Sequence, residues 1–507
     1  MKLERTRNAG RNIIFGGILK LYQIIVPFLM RTVMIYFMGV EYLGLSSLFS
    51  SILQVLNLAE LGVGSAMVYS MYKPIVEDDE KTICALINLY RKYYTFIGLV
   101  IAIIGICMTP YVPFLIKSDL PGGLNIYVLY WLNLGVTVLS YWMFAYKNSL
   151  LQAYQRTDII SKVTLVTTTV QYTFQIAILV TLKNYYIYVI VALMTQALTN
   201  IITAAVATKM YPTIKPYGKL KHKKVDEINH RIKDLFTSKV GAVIVNSADT
   251  IVISAFLGLT MLAIYQNYFF ILNSIVGFVA IIFNACMAGI GNSIIVESSE
   301  KNFEDLKKFT FIVAWISGFC TTCLLCLYQP FMELWVGSEL KLKFSAVICF
   351  CIYYFVYEVN QLLNTFKDAA GIWHEDRFRP LVTALSNLLM NLIMVQFWGI
   401  YGVILSTVLS TIFVGMPWLL HNLFTVLFPK EKLLEYLKSL VFYVIVTFIG
   451  CLLTYQCCRL VYANKILTVV IRAGICGVMV NLFYFIIYRK IPEFKQSVEL
   501  ATKIVKR

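Results

Sequence analysis

Six charged side chains stand inside otherwise apolar runs: Lys20, Arg31, Glu60, Asp249, Glu358 and Arg472. An ionised group in a bilayer costs about 2.5–3.5 kcal/mol by insertion scales, so such a residue meets a cavity, a partner or the interface and by default marks function. The first run is the most informative. Gln23, Pro27 and Arg31 follow Lys20 at steps of 3, 7 and 11. Eleven residues at 100° each return to within about 20° of the start, so all four share one helical face, with the two cations about 16 Å apart along the axis. The face is a polar stripe with an inner and an outer cationic station, the arrangement that lines a cavity. Pro27 lies between them, removes one helix hydrogen bond and permits a hinge. The plainer reading is that Lys20 snorkels to the interface along its aliphatic stem; Arg31 is harder to explain in that way.

A second stripe holds Lys239, Asn246 and Asp249, with Thr250 beside it. Arg31 either faces this stripe across a cleft or forms a structural ion pair with Glu60 or Asp249. Glu60, Asp249 and Glu358 are the candidates for coupling or charge pairing; Glu358 is flanked by Asn360, Gln361 and Asn364. Arg472 lies near the end of the last apolar run and is expected to snorkel. Enzymatic constellations are missing. None of His222, His230, His374 and His421 has metal-ligand spacing, and no Gly-rich phosphate loop precedes a Lys-Ser/Thr pair. Cys320, Cys323 and Cys326 have CxxCxxC spacing without a neighbouring His or acid, so they read as small apolar packing residues. No catalytic residue, metal or cofactor is expected, and the chain does not read as an enzyme.

These residues need membrane helices to position them. The chain of 507 residues is 59% hydrophobic and only 14% charged, against roughly 25% charged in soluble proteins. Fourteen runs reach the length of about 20 apolar residues that a span needs: 13–38, 43–72, 93–116, 124–146, 163–182, 185–208, 240–257, 261–296, 309–332, 344–366, 381–397, 401–428, 439–458 and 466–488. With both termini on one side, 35 of the 44 Lys and Arg fall in segments on that side, six in the opposite turns and three within runs. That asymmetry places both termini in the cytoplasm. The net charge of +17 therefore belongs to the membrane edge; no folded polar domain exists to carry a nucleic-acid site. No cleavable signal peptide is expected, because the first apolar run is too long and contains Lys20 and Arg31.

The predicted fold is all-α and integral to the membrane: fourteen transmembrane helices in two pseudo-symmetric six-helix bundles plus two C-terminal helices. The N-terminal lobe is 1–208, a basic cytoplasmic linker 209–239, the C-terminal lobe 240–428, and the last two helices with a tail 429–507. Gly39-x-x-x-Leu43-Gly44 between runs 1 and 2 matches Gly258-x-x-x-Leu262-Ala263 between runs 7 and 8. A six-helix repeat would place the second copy there, with parallel orientation about an axis along the membrane normal.

Three segments carry a resemblance: Phe28-Leu29-Met30-Arg31-Thr32 running into Gly39-Val40-Glu41-Tyr42-Leu43-Gly44-Leu45; Leu58-Ala59-Glu60-Leu61-Gly62-Val63-Gly64-Ser65-Ala66, ending at Tyr72-Lys73-Pro74; and Leu150-Leu151-Gln152-Ala153-Tyr154-Gln155-Arg156. With the helix count, they resemble the polysaccharide-flippase branch of the multidrug/oligosaccharidyl-lipid/polysaccharide exporter superfamily. The resemblance implies two lobes around a central wet cavity in a bacterial inner membrane. It also implies transfer of an undecaprenyl-diphosphate-linked oligosaccharide from the cytoplasmic to the outer leaflet by alternating access, for polysaccharide or O-antigen assembly. Arg31, Lys20, Gln23, Lys239 and Asn246 would then meet the diphosphate headgroup, since Arg binds phosphate oxygens bidentately. The partners implied are the lipid-linked substrate, membrane lipid and other polysaccharide-assembly proteins. The alternatives are a cation-coupled multidrug exporter and, behind it, a membrane glycan polymerase or ligase.

Overall fold

The computed structural model describes residues 5–505 apart from Leu61, Ser118, Asp119 and Tyr462. Side chains at 5–10, 13, 59, 234, 235, 237, 238, 242, 246, 284, 285, 288, 500, 501 and 503–505 also lie outside the description. Every regular element among the described residues is helical. Lipid offers no hydrogen-bond partner, so a backbone crossing it must close its bonds within the segment, and apolar runs of this length become helices. The chain forms two compact units, Met1–Ala263 and Ile264–Arg507.

The first unit begins with α1 (Arg5–Phe37), α2 (Val40–Leu56), α3 (Val63–Val76) and α4 (Glu80–Met108). It continues with α5 (Ile126–Trp142), α6 (Tyr146–Ala153), α7 (Thr157–Thr181), α8 (Tyr185–Met210) and α9 (His222–Leu257). α1 packs on α7, α7 on α8, α4 on α5, and α2 along α9. Asp79 caps α4 by accepting from the Thr82 amide at 3.0 Å, and its hydrogen bonds with Thr82 hold its carboxyl below the ordinary range.

α10 (Leu259–Val296) leads into the second unit, which holds α11 (Ser299–Trp335), α12 (Phe344–Ala369), α13 (Arg379–Trp398), α14 (Ile400–Ser410), α15 (Met416–Val426), α16 (Leu433–Arg459), α17 (Lys465–Ile475), α18 (Asn481–Tyr488) and α19 (Pro492–Val505). α11 is its central post, packed on α12, α16, α17 and α19. Two aromatic cores hold it: Phe303, Phe366, Phe424 and Tyr436 toward its start, and Phe311, Tyr443, Tyr484 and Tyr488 beyond.

Among the described residues, all fourteen apolar runs fall on helices, and twelve of these are continuous and long enough to cross a membrane. The other two are broken. Run 124–146 bends by 51° between α5 and α6, where Phe144 takes φ 59°, a left-handed conformation that costs a non-glycine residue about 1–2 kcal/mol. Run 43–72 is interrupted between α2 and α3, where Asn57–Glu60 tighten into a 3-10 turn and Gly62 turns left-handed (φ 89°). Pro27 sits inside an unbroken α1; lacking an N–H, it gives nothing to the carbonyl of Gln23.

One feature differs in detail from the sequence reading. The segment expected as a linker over 209–239 is helical from His222 onward and continuous with the span that follows. Its apolar positions recur at helical spacing (Val225, Ile228, Ile232, Phe236), with Ile228 buried. Tyr93 on α4 donates to Asn229 at 2.6 Å, and the Arg231 guanidinium lies 4.6 Å over the Tyr69 ring on α3. This anchoring, with the packing of α9 on α2, keeps α9 in the first unit.

The paired glycine turns are clear in the backbone. Gly39, between α1 and α2, has φ 115°, ψ 163°; Gly258, between α9 and α10, has φ 89°, ψ 173°. That region is essentially confined to glycine, and the same conformation recurs at both copies of the Gly-x-x-x-Leu pattern. The start of α2 then packs directly on the start of α10: a Cβ at Gly44 would collide with the Leu259 carbonyl.

Candidate functional site

α1 packs against α7, and that contact sets the surroundings of the polar stripe. Lys20 and Gln23 are exposed, while Pro27 and Arg31 are half-buried. Tyr22, one residue before Gln23, shares a 2.9 Å hydrogen bond with Thr169 of α7 and lies 6.3 Å from the Tyr172 ring. Arg31 is in electrostatic reach of Tyr188 on α8. Tyr188 stacks on Tyr185 at 5.7 Å, and Tyr185 meets Tyr42 of α2 edge-on at 5.2 Å. Gln175 of α7, itself buried, donates to the Tyr188 carbonyl at 3.1 Å. The guanidinium thus stands beside a ladder of tyrosines drawn from α2 and α8, with Tyr172 of α7 nearby. A cation next to phenol rings and amides suits a ligand that is anionic at one end and hydroxyl-rich or stackable at the other.

Glu60 is the best-partnered membrane acid. It sits in the break between α2 and α3, accepts one hydrogen bond from the Tyr94 hydroxyl and a second from Tyr141 at 2.7 Å. Tyr90 donates to Tyr94 at 2.7 Å, and Tyr141 also reaches Asn57 at 3.1 Å. The carboxylate therefore ties α4 and α5 to the broken helix, which favours a structural role. Glu60→Ala is expected to cost about 1–3 kcal/mol by orphaning the Tyr94 hydroxyl, while Glu60→Gln keeps an acceptor and costs less. Thermal melting of the purified protein should rank wild type, Gln, then Ala; equal loss in both variants would show that the charge matters rather than the hydrogen bonds.

On α9, Lys239 is exposed and donates to Ser65 of α3 at 3.3 Å. Asp249 and Thr250 are buried, and the neighbouring Ser247 donates to Gln54 of α2 at 3.2 Å. The side chain of Asn246 lies outside the described residues. Lys20, Gln23, Arg31, Glu60, Lys239 and Asp249 all belong to the first unit. Glu358 belongs to the second, on α12; it is fully buried and neither of its oxygens has a hydrogen-bond partner among the described residues.

Three groupings escaped the sequence reading. The tyrosine ladder is one, although Tyr185 and Tyr188 stand at helical spacing. The second is a buried clamp at the start of α13. Arg379 bonds Asp376 through Nε at 2.6 Å and Nη2 at 2.8 Å and Asn364 at 2.7 Å, while Asn422 and Lys367 reach the same aspartate at 3.1 and 3.5 Å. The first unit has a counterpart where the chain enters α7: buried Asp158 holds Arg156 at 2.9 Å and Lys162 at 3.3 Å, and Asn12 of α1 accepts from the Asp158 amide at 2.8 Å. The third is a hydrogen-bonded seam between α13 and α14, where Asn387 donates to Thr407 at 2.9 Å and Ser406 to Asn391 at 2.8 Å.

Among the described residues, one grouping has the composition of a metal site. The thiols of Cys326, Cys458 and Cys476 lie within 4.8 Å of one another and are buried. The CxxCxxC spacing is not what assembles it, since two of the three sulfurs come from α16 and from just past α17. Its surroundings are Cys323, Leu327, Tyr455 and Ile475. An apolar wall of that kind disfavours thiolate and suits packing.

No family model matches the chain, and no curated protein matches it. Solved structures do. The chain is similar to a lipid II flippase, MurJ, in an inward closed conformation, with TM-score 0.66 and 18% identity over 94% of this chain and 99% of that one. An inward-facing multidrug resistance MATE transporter of the MOP superfamily matches with TM-score 0.60 and 13% identity, over 82% and 99%. A MATE transporter from Vibrio cholerae, VcmN, matches with TM-score 0.53 and 14% identity, over 82% and 96%. The chain has the membrane fold of these MOP-superfamily transporters.

Proposed function

We infer that this chain, built on a fold shared by a lipid flippase and drug exporters, is a flippase for a lipid-linked oligosaccharide carried on a polyprenyl diphosphate. The observation that carries the reading is Arg31, a guanidinium partway through a membrane helix and bordered by Tyr188 and its tyrosine ladder. A diphosphate-sugar headgroup is too polar for hydrocarbon. A fixed cation offsets its desolvation and phenol rings can stack on its sugars. Lys20 and Gln23 extend the stripe toward the cytoplasmic end, and Lys239 and Asn246 belong to a second stripe on α9 that would meet the same headgroup. Pro27 and the break between α2 and α3 give the helices places to bend. Among the comparison structures, the flippase spans more of this chain than either MATE transporter does, which also favours this reading.

In this reading the chain crosses the inner membrane fourteen times with both termini cytoplasmic, counting the two broken runs as spans. The matching glycine turns and the Asp–Arg clamps before α7 and α13 support two related six-helix lobes, with 429–507 added. The passenger moves from the cytoplasmic to the outer leaflet by alternating access, and the membrane-buried acids Asp249 and Glu358 are the residues through which a cation would be coupled. A second reading, a cation-coupled multidrug exporter, is favoured by the MATE likeness and by Glu358. Proteoliposomes decide between them. Protein-dependent exposure of a fluorescent polyprenyl-diphosphate oligosaccharide, with no gradient-driven efflux of cationic dyes, is expected; dye efflux without lipid translocation would replace the flippase reading by the exporter.

A further inference from the structure

We propose that a cavity in the second unit, at the end of α11, binds the phosphate of an anionic lipid headgroup. The cavity measures about 460 Å³, and Gln329, Lys341, Lys343, Tyr455 and Arg472 are on its wall. It lies at the end of the unit away from the basic segments 297–308 and 367–379. Few cations are placed on that side of the chain, yet several of them gather here.

The cavity is built rather than incidental. The turn that carries Lys341 and Lys343 is fastened from two directions: Gln329 donates to the Leu342 carbonyl at 2.7 Å, and the Leu342 amide donates to the Tyr268 hydroxyl at 3.2 Å. Phe344 stacks on Tyr455 at 4.9 Å, which fixes the turn to α16. Each lysine is thereby held at the rim before any ligand arrives.

Its charge is not balanced from within. Glu333 bridges Lys341 at 2.5 Å and Lys465 at 3.3 Å, so one carboxylate serves two lysines. Lys343 and Arg472 make no ion pair among the described residues, and the Nε of Arg472 is buried without a hydrogen-bond partner. A guanidinium partly taken out of water with no counter-charge is costly; an anion at this spot removes that cost, and a tetrahedral phosphate accepts both the fork of Arg472 and the ammonium of Lys343.

Depth and surface identify the anion as part of a lipid. Arg472 is seven residues along α17 from Lys465, about 10 Å down the helix, a depth from which its long side chain reaches toward the headgroup level. α17 buries none of its residues. Ile466, Leu467, Val470 and Ile471 are exposed and offer an apolar track beside the cavity for hydrocarbon chains. A bilayer phospholipid and a polyprenyl diphosphate share this chemistry, and the inference holds whichever molecule the protein transports.

Native mass spectrometry of the purified full-length protein, titrated separately with phosphatidylglycerol, phosphatidylcholine and undecaprenyl diphosphate, tests it. Lys343→Gln changes an exposed side chain and leaves folding intact; Arg472→Gln removes the inner cation. Each is expected to weaken an anionic-lipid adduct about tenfold or more while leaving phosphatidylcholine unchanged. Loss confined to phosphatidylglycerol assigns the site to bilayer lipid, and loss confined to undecaprenyl diphosphate assigns it to a prenyl carrier. Unchanged affinity for both anionic lipids in Lys343→Gln and Arg472→Gln would overturn the proposal.

Discussion

Arg31→Ala should reduce outer-leaflet exposure of the lipid-linked glycan by about two orders of magnitude in a protein that still inserts and melts like wild type. The size follows from chemistry: two charge-assisted hydrogen bonds to phosphate are each worth about 1.5–3 kcal/mol, and each 1.4 kcal/mol is a factor of about ten. Arg31→Lys keeps the charge but loses the planar fork, so it should fall between. The electrostatic proximity of Tyr188 supplies the competing explanation, in which Arg31 only braces α1 against α8. Tyr188→Phe separates the two. It removes the hydroxyl while preserving the ring, so a bracing role would make it as damaging as Arg31→Ala, and a binding role would leave most transport intact. Full exposure in well-expressed Arg31→Ala would remove the residue from the mechanism.

The largest expected loss of stability is at Asp376. Removing one partner of a buried ion pair leaves an uncompensated charge and costs about 3–5 kcal/mol. Asp376→Ala would strand buried Arg379 and deprive Asn422 and Lys367 of their shared acceptor. A marked fall in melting temperature and poor recovery from the membrane are expected. The exposed pair Lys432–Glu435, at 2.8 Å, is the control: Lys432→Ala should change melting by no more than about 1 kcal/mol in equivalent stability. Asp158→Ala should cost less than Asp376→Ala, because its partners Arg156 and Lys162 keep part of their exposure. A variant at either aspartate that melts like wild type would show that the clamp carries little energy.

Much of the scaffold was legible because lipid imposes one rule on every span. Apolar length located the long apolar helices, though not α19 or the start of α9, and the period of 3.6 placed Lys20, Gln23, Pro27 and Arg31 on one face. Sequence was weaker wherever burial depends on distant partners. Asp376 and Arg379 looked like loop charges, and their burial comes from Asn364 and Asn422. Cys326 found its sulfur neighbours on α16 and beyond α17 rather than at Cys320 and Cys323. The continuation of α9 back to His222 follows a weak apolar period that charge density masked. The break near Glu60 did leave a trace, in Asn57 and the Gly62-x-Gly64 pair, but a long apolar run reads as one helix unless those residues are given weight.

Gly39 and Gly258 join their helices with almost no intervening chain. A connector that short has no slack, so α1 with α2, and α9 with α10, can only swing as single bent levers. Motion in either pair must then be absorbed inside the rods or at their far ends; in the first pair Pro27 lies within α1, and the break beyond α2 is braced where Glu60 accepts from Tyr94 and Tyr141. In these two pairs compliance therefore belongs to the helices and not to the connections at Gly39 and Gly258.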